Sequence, residues 1–417
     1  MSSFDLAAIF LVLVALIGWL NARVLHLPTG VAMLLVGLTG ALLAQAGEHA
    51  PFAAHLFGYL GKLVGRVDFS QTVVGYMLAF LLFAGAMQVD LAQLRRQRLA
   101  VLSLATLGVT ASTLIVGFGV YGVARLLGLG LSLPWALVFG ALISPTDPVA
   151  VLAALHRGGL SASMQAVLQG EALFNDGVAI VVFLAMVEFA MGGAAPHPLI
   201  ILRTVAVEAL GGLGFGLAAG WVVLQATRTI DDYAAEVSLT LALAIGSYAG
   251  AHALHVSGPI AAVAAGLIVG DRSVANFMSD VTRRYVVGFW TLVDEILNAL
   301  LFLLLGLEMI VLPFDLRHAG LWAAAIPLLL LARLAVVLPW GAFFRFRRAE
   351  RGAAMILTWG GLRGGLSLAL ALQAPADPQR ELILSLTYAV VVFSVVVQGL
   401  SFPMLIAKLN RAPRGAA

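Results

Sequence analysis

Apolar residues along this chain come in runs near twenty residues long, separated by short polar punctuation that carries most of the arginines. Runs of that length cross the hydrocarbon core of a bilayer as α-helices, whereas strands of an outer-membrane barrel alternate over roughly ten residues. The pattern predicts about thirteen transmembrane helices. They cover approximately 4–21, 28–46, 72–90, 99–127, 132–155, 164–191, 199–226, 236–255, 258–271, 284–312, 319–345, 352–374 and 381–409. The longest interruption is 47–71, where His55, Lys62 and Arg66 are interleaved with Leu56, Phe57, Leu60 and Leu63. That interleaving predicts a short amphipathic piece lying in the interface. The expected fold class is an all-α polytopic membrane protein.

Two of these runs are interrupted from within. In the fifth, Ile143-Ser144-Pro145-Thr146-Asp147-Pro148 places two prolines inside the apolar stretch from Trp135 to Leu155. Proline removes a backbone donor and clashes with the preceding turn, so the helix should break near mid-membrane. Irregular backbone at that depth is tolerated only where it is buried in protein or lines a cavity. In the twelfth, Gly360-Gly361-Leu362-Arg363-Gly364-Gly365 sets four glycines around one arginine, which weakens a helix strongly. Counted as five-helix units, helices two to six and nine to thirteen, both breaks fall in the fourth helix. An odd offset inverts the topology, so the pattern predicts inverted repeats with discontinuous helices five and twelve.

Composition narrows the class further. The 417 residues are 61% hydrophobic and 11% charged, which overrules a soluble multidomain reading. The 44 glycines suit close helix packing in lipid, and the absence of cysteine excludes disulfides, thiol catalysis and cysteine metal sites. A net charge of +3 is no sign of nucleic-acid binding, because the basic residues sit in short loops. The first apolar run lacks a basic leader and a small-residue cleavage site, so it reads as a retained helix. Placing the N-terminus outside puts sixteen basic residues on the inner side: Arg23, Arg95, Arg96, Arg98, Arg157, Arg228, Arg272, Arg283, Arg284, Arg345, Arg347, Arg348, Arg351, Lys408, Arg411 and Arg414. Lys62, Arg66, Arg203, Arg317 and Arg380 then remain outside, with Arg125 at a helix end. The asymmetry predicts an N-out, C-in protein of the plasma membrane (the inner membrane, in a bacterium). No Walker loop, nucleophile elbow or dinucleotide fingerprint occurs, which leaves ATP-driven pumping without support.

The chemistry concentrates after the first break. Glu171 and Asp176 lie on the next apolar stretch, and intramembrane carboxylates are functional-site hypotheses by default. Asp176, with Asn175 beside it, is the main candidate. Burial favours the protonated form of a carboxyl group and a nearby cation favours the ionised form, so one carboxylate serves proton and monovalent cation in competition. Asp147 sits in the break, where it either offsets the positive ends of half-helices or coordinates the ion itself. Thr146 offers a hydroxyl and a freed carbonyl as ion ligands. Arg363 needs a partner, with Glu171 preferred and Asp147 the alternative, and a buried Glu171–Arg363 pair would tie helices six and twelve together. Arg333, mid-helix among Leu and Ala, reaches either carbonyls of a broken helix or a carboxylate such as Glu308. Asp294, Glu295 and Asn298 read either as a funnel toward the site or as interfacial solvation, and Glu188 and Glu208 as structural. His252 and His255 have no third ligand nearby, which argues against a metal site. Gly212, Gly216 and Gly220 predict close helix contact, either within the protomer or across a dimer.

At these residues the chain resembles the electroneutral sodium/proton antiporters (sodium/hydrogen exchangers) of the cation/proton antiporter superfamily. The matching stretches are Ser144-Pro145-Thr146-Asp147-Pro148-Val149-Ala150, Glu171-Ala172-Leu173-Phe174-Asn175-Asp176-Gly177 and Trp359-Gly360-Gly361-Leu362-Arg363-Gly364-Gly365. The stretches 256–266 and 292–298 also fit. The resemblance implies a thirteen-helix fold in which broken helices five and twelve cross near the ion site. It implies one transmembrane transporter unit over 1–417, with no soluble regulatory domain. Within it, a core domain (about 99–191 and 319–409) moves against a dimerisation domain (about 1–98 and 199–312). It assigns the alternating ion and proton load to Asp176, and the neutral Asn175 implies one-for-one exchange. Thr146 falls on the family's threonine and Glu171–Arg363 on its buried ion pair. Two departures concern cation identity: Ala172 stands where some relatives have a serine ligand, and Ala84 where many have a glutamate.

The expected function is secondary antiport of protons against sodium or lithium, with potassium as the alternative cation and no cofactor beyond the transported Na+, Li+ or K+ and H+. The expected partners are these ions, membrane lipid and a second copy of the chain, without nucleic acid; no enzyme activity is expected. Competing classes are a cation or proton channel, an intramembrane hydrolase using Asp147 and Asp176, and symport of an organic anion.

Overall fold

The computed structural model describes residues 3–47, 71–147, 160–193, 198–271, 278–310, 315–343 and 352–411. Every regular element among them is helical. In chain order α1 is Ser3–Leu20, α2 Thr29–Gly47, α3 Leu78–Met87, α4 Arg98–Leu126 and α5 Leu133–Ile143. There follow α6 Ala162–Ala190, α7 Pro198–Thr227, α8 Tyr233–Ala253, α9 Gly258–Gly270 and α10 Asp280–Leu307. The chain closes with α11 Ala319–Phe343, α12 Ala353–Trp359, α13 Gly365–Gln373 and α14 Arg380–Asn410. Seven of the described helices are long and apolar enough to cross a membrane. The all-helical membrane architecture expected from the apolar runs is present. The stretch expected as one helix over 352–374 is two pieces, α12 and α13, and α5 stops at Ile143. The continuation of helix five beyond Asp147 and nearly all of the 47–71 interfacial piece lie outside the described residues.

Helix starts follow local chemistry. Ser161 accepts from Met164 N at 3.2 Å ahead of α6, and Asp232 accepts from Ala234 N and Ala235 N ahead of α8. Ser257 and Ser279 cap α9 and α10 in the same way. Each such cap satisfies an orphan N–H and contributes about 1 kcal/mol.

The glycine face of α7 packs within the protomer. A Cβ at Gly212 would strike the Ser257 carbonyl, one at Gly216 the Ala261 carbonyl, and one at Gly220 the Ile268 side chain, all on or beside α9. α9 in turn packs on α3 and α8, while α2 packs on α10. A second set of contacts joins α4 to α5 and α11, α6 to α5, and α13 to α14. Outward faces stay apolar: Leu11, Leu16 and Trp19 on α1, and Leu210, Trp221 and Val222 on α7, are exposed. Lipid is the solvent such faces require.

Candidate functional site

The two interrupted helices meet at their breaks. Past Ile143 the chain leaves helical geometry, and the Asp147 N–H donates to the Leu362 carbonyl at 2.8 Å, linking one unwound segment to the other. Arg363 Nη1 donates to the carbonyls of Ser144 and Pro145, the groups that the proline break releases. The second break is served from α14: Arg363 N donates to Ser394 Oγ at 2.8 Å, Ser394 Oγ to Gln398 Oε1 at 2.7 Å, and Gln398 Nε2 to the Trp359 carbonyl at 3.2 Å. Backbone groups without water must find partners in protein, and here the partners are identified. Two glycines are dictated by close approach. A Cβ at Gly364 would overlap the Asp147 carboxylate, and one at Gly361 would sit 2.8 Å from Arg333 Nε.

A cavity opens beside this crossing. Asp176 faces it from α6, Thr146 and Asp147 from the first break, Gly364 and Ser367 from the second, and Asp294 and Asn298 from α10. Asn175 is fully buried and donates Nδ2 to Thr146 Oγ1 at 2.8 Å, which locks the break against α6. No hydrogen bond to the Asp176 carboxylate forms among the described residues, so its oxygens remain available to the cavity. Asp147 is close enough to act on Asp176 electrostatically. Two like charges in a site of low dielectric repel strongly, and a bound cation or proton relieves that repulsion. Carboxylate, hydroxyl and amide oxygens are the hard ligands that alkali cations take.

The arginines exchange the roles expected of them. Glu171 pairs with Arg333: Nη1 meets Oε1 and Nη2 meets Oε2 at 2.8 Å, with Arg333 Nε donating to the Leu357 carbonyl at 3.2 Å. The expected Glu171–Arg363 pair does not form. Arg363 is spent on the freed carbonyls of helix five, although the Glu171 and Arg333 charges still act on it. The physical reason lies in depth along the helices. The break leaves carbonyls beside Arg363, while mid-helix α11 sets the Arg333 fork against Glu171 for two parallel bonds, the stronger geometry. The Glu308 alternative for Arg333 is thereby displaced.

Asp294 is drawn into the cavity rather than solvated at an interface. Gln88 Nε2 donates to its Oδ2 at 3.2 Å and Asn298 Nδ2 to its Oδ1 at 2.9 Å. Ala172 lines the cavity as expected. Ala84 does not: it is packed in the cluster of Phe83, Val286 and Trp290, and its neighbour Gly85 faces the cavity instead. Ser144, Ser394, Gln398 and Ser367 were not legible as site residues. The one available signal was polar residues lying opposite or just past a break.

The sodium/hydrogen exchanger transmembrane family model matches residues 10–408. The chain is 43% identical to the Na(+)/H(+) antiporter NhaP of Pseudomonas aeruginosa over 97% of its own length and 96% of the relative's. It is 36% identical to the Na(+)/H(+) antiporter NhaH of Halobacillus aidingensis, covering 94% of each. Among solved structures it superposes on the sodium proton antiporter MjNhaP1 of Methanocaldococcus jannaschii with a TM-score of 0.71 at 20% identity, over 97% of both chains. That likeness shows the fold.

Proposed function

The chain belongs to the sodium/hydrogen exchanger family, and from that premise we propose that it exchanges protons for sodium across a membrane by alternating access. Cation and proton take turns on Asp176. The observation that carries this reading is one carboxylate, free of hydrogen bonds among the described residues, facing a cavity at the crossing of two broken helices. Thr146 and its partner Asn175 supply neutral oxygens, and Asp147 holds the crossing while offsetting the half-helix ends. Asn175 adds no charge beside Asp176, so one proton replaces one cation and the exchange is electroneutral. Relatives named for sodium favour sodium over potassium as the cation.

In this reading α4–α6 and α11–α14 form the moving core and the remaining helices a dimerisation domain in a homodimer. Packing of α4 on α5 and α11, set apart from that of α7 on α9, supports the division. The protein sits in the plasma membrane with its N-terminus outside and C-terminus in the cytoplasm, as the arginine distribution favours. An inward proton gradient then extrudes the cation.

The test uses sealed proteoliposomes with an imposed pH gradient. Sodium or lithium should collapse the gradient, potassium far less, and clamping the membrane potential should leave the rate unchanged. No response to any cation from folded protein would refute antiport. The crossing itself is tested by Gly364→Ala, whose methyl group displaces Asp147. It should slow exchange roughly tenfold to a hundredfold, the usual cost of misplacing a site group by about an ångström. Gly122→Ala, which meets open space, should exchange like wild type.

A further inference from the structure

A serine inside a helix ordinarily donates its hydroxyl to the carbonyl three or four residues behind it. Ser238, Ser385 and Ser401 do so here. Ser367 does not. It lies in the first turn of α13, so the residues three and four behind it are Gly364 and Arg363, in the unwound segment, where no helical carbonyl is aimed at it. Its hydroxyl is buried (1% exposed), has no hydrogen-bond partner among the described residues, and belongs to a residue lining the same cavity as Asp176.

A second oxygen in that cavity is in the same position. Asn298, 6% exposed, donates Nδ2 to Asp294, and a carboxylate only accepts, so the amide can face just one way. Asn298 Oδ1 is then left buried without a donor among the described residues. A buried acceptor or hydroxyl with nothing to bind is costly, and a native protein that retains one commonly satisfies it with a water or an ion. Both oxygens are neutral and hard, the kind that replaces water around an alkali cation. Neither adds charge to Asp176.

We propose that Ser367 Oγ and Asn298 Oδ1 are ligands of the transported alkali cation and, with Asp176, complete the coordination that the alanine at 172 leaves short. They come from α10 and from the second broken helix, elements other than the α6 that carries Asp176. This deepens the exchange reading above and rests on it. A cation is then held between a moving and a facing helix, and releasing it separates Asn298 from Ser367.

The apparent KM for sodium and the limiting rate are measured in proteoliposomes of the full chain for wild type, Ser367→Ala and Asn298→Ala. Each variant should raise KM about tenfold, one ligand's worth, with the limiting rate at saturating sodium within about twofold of wild type. Ser367→Thr should restore KM. Ser367→Cys replaces a hard oxygen by sulfur, and should raise the preference for thallium(I) over sodium, a change that a packing role would not produce. Should the alanine variant not fold, the cysteine variant carries the test through that ratio. An active wild type with unchanged KM in Ser367→Ala, or an unchanged ratio in Ser367→Cys, overturns the proposal alone. A wild type that moves no protons against sodium overturns the exchange reading and the proposal with it.

Discussion

Asp176→Asn should abolish sodium-driven collapse of a pH gradient, with a fall of roughly a hundredfold or more, the effect of losing charge-assisted ion contacts in a water-poor site. The substitution keeps the shape of the side chain, so α6 and its bond to Thr146 through Asn175 stay in place. What it removes is the ability to be charged. An amide takes up neither proton nor cation in exchange, and the variant is fixed in the state that the protonated carrier visits. Melting in detergent should be unchanged or slightly raised, because the repulsion from Asp147 disappears. Sodium-dependent proton flux near the wild-type rate, in protein shown to be folded, would transfer the carrier role to Asp147 or Asp294.

The second large effect is structural. Glu171→Gln should lower stability by about 3–5 kcal/mol, because it strands the Arg333 guanidinium in the interior. Arg333→Met should do the same from the other side, stranding Glu171, which is 2% exposed. The double variant should recover much of the loss, since two buried charges leave together. Melting temperatures of the four proteins in one detergent give the coupling. A parallel cycle of Glu171 with Arg363 should show much weaker coupling, because Arg363 is bonded to Ser144 and Pro145 carbonyls. Strong coupling of Glu171 to Arg363 and none to Arg333 would contradict the observed pairing.

That pairing marks where the sequence ceased to be readable. Both breaks were legible because proline and clustered glycine act on the backbone locally, at Pro145 and at Gly360–Gly365, whatever surrounds them. The candidacy of Asp176 was legible because a carboxylate in an apolar run is rare and expensive. Which arginine meets Glu171 depends on the rotation and depth of α11 against α6, separated by 162 positions in sequence, and no local rule carries that information. Ala84 shows the same limit at finer scale. A hundred-degree turn of α3 decides whether residue 84 or 85 faces the cavity, and the apolar pattern there is too uniform to set the phase. Ser367 was hidden differently: its meaning comes from the carbonyl that is missing behind it, which only the observed end of the unwound segment reveals.

The bonds that repair the broken helices have a consequence for friction. Among them, Asp147 N bonds the Leu362 carbonyl and Arg363 the Ser144 and Pro145 carbonyls within the breaks, while Thr113, Gly140, Asn175, Arg333, Ser394, Gln398 and Ser401 supply others from α4, α5, α6, α11 or α14. These bonds are therefore made within one group of helices. In the alternating-access motion proposed above, that group would slide past α9 and α10 carrying these hydrogen bonds with it, and the contacts sheared there would include Ile260 against Gly177 and Leu301 against Gly365. Dispersion contacts of that kind are individually about 0.1–0.2 kcal/mol and have no preferred direction. They can be traded one for another along such a path, so in that motion a site built from irregular backbone would ride on a slip plane that leaves these bonds in place.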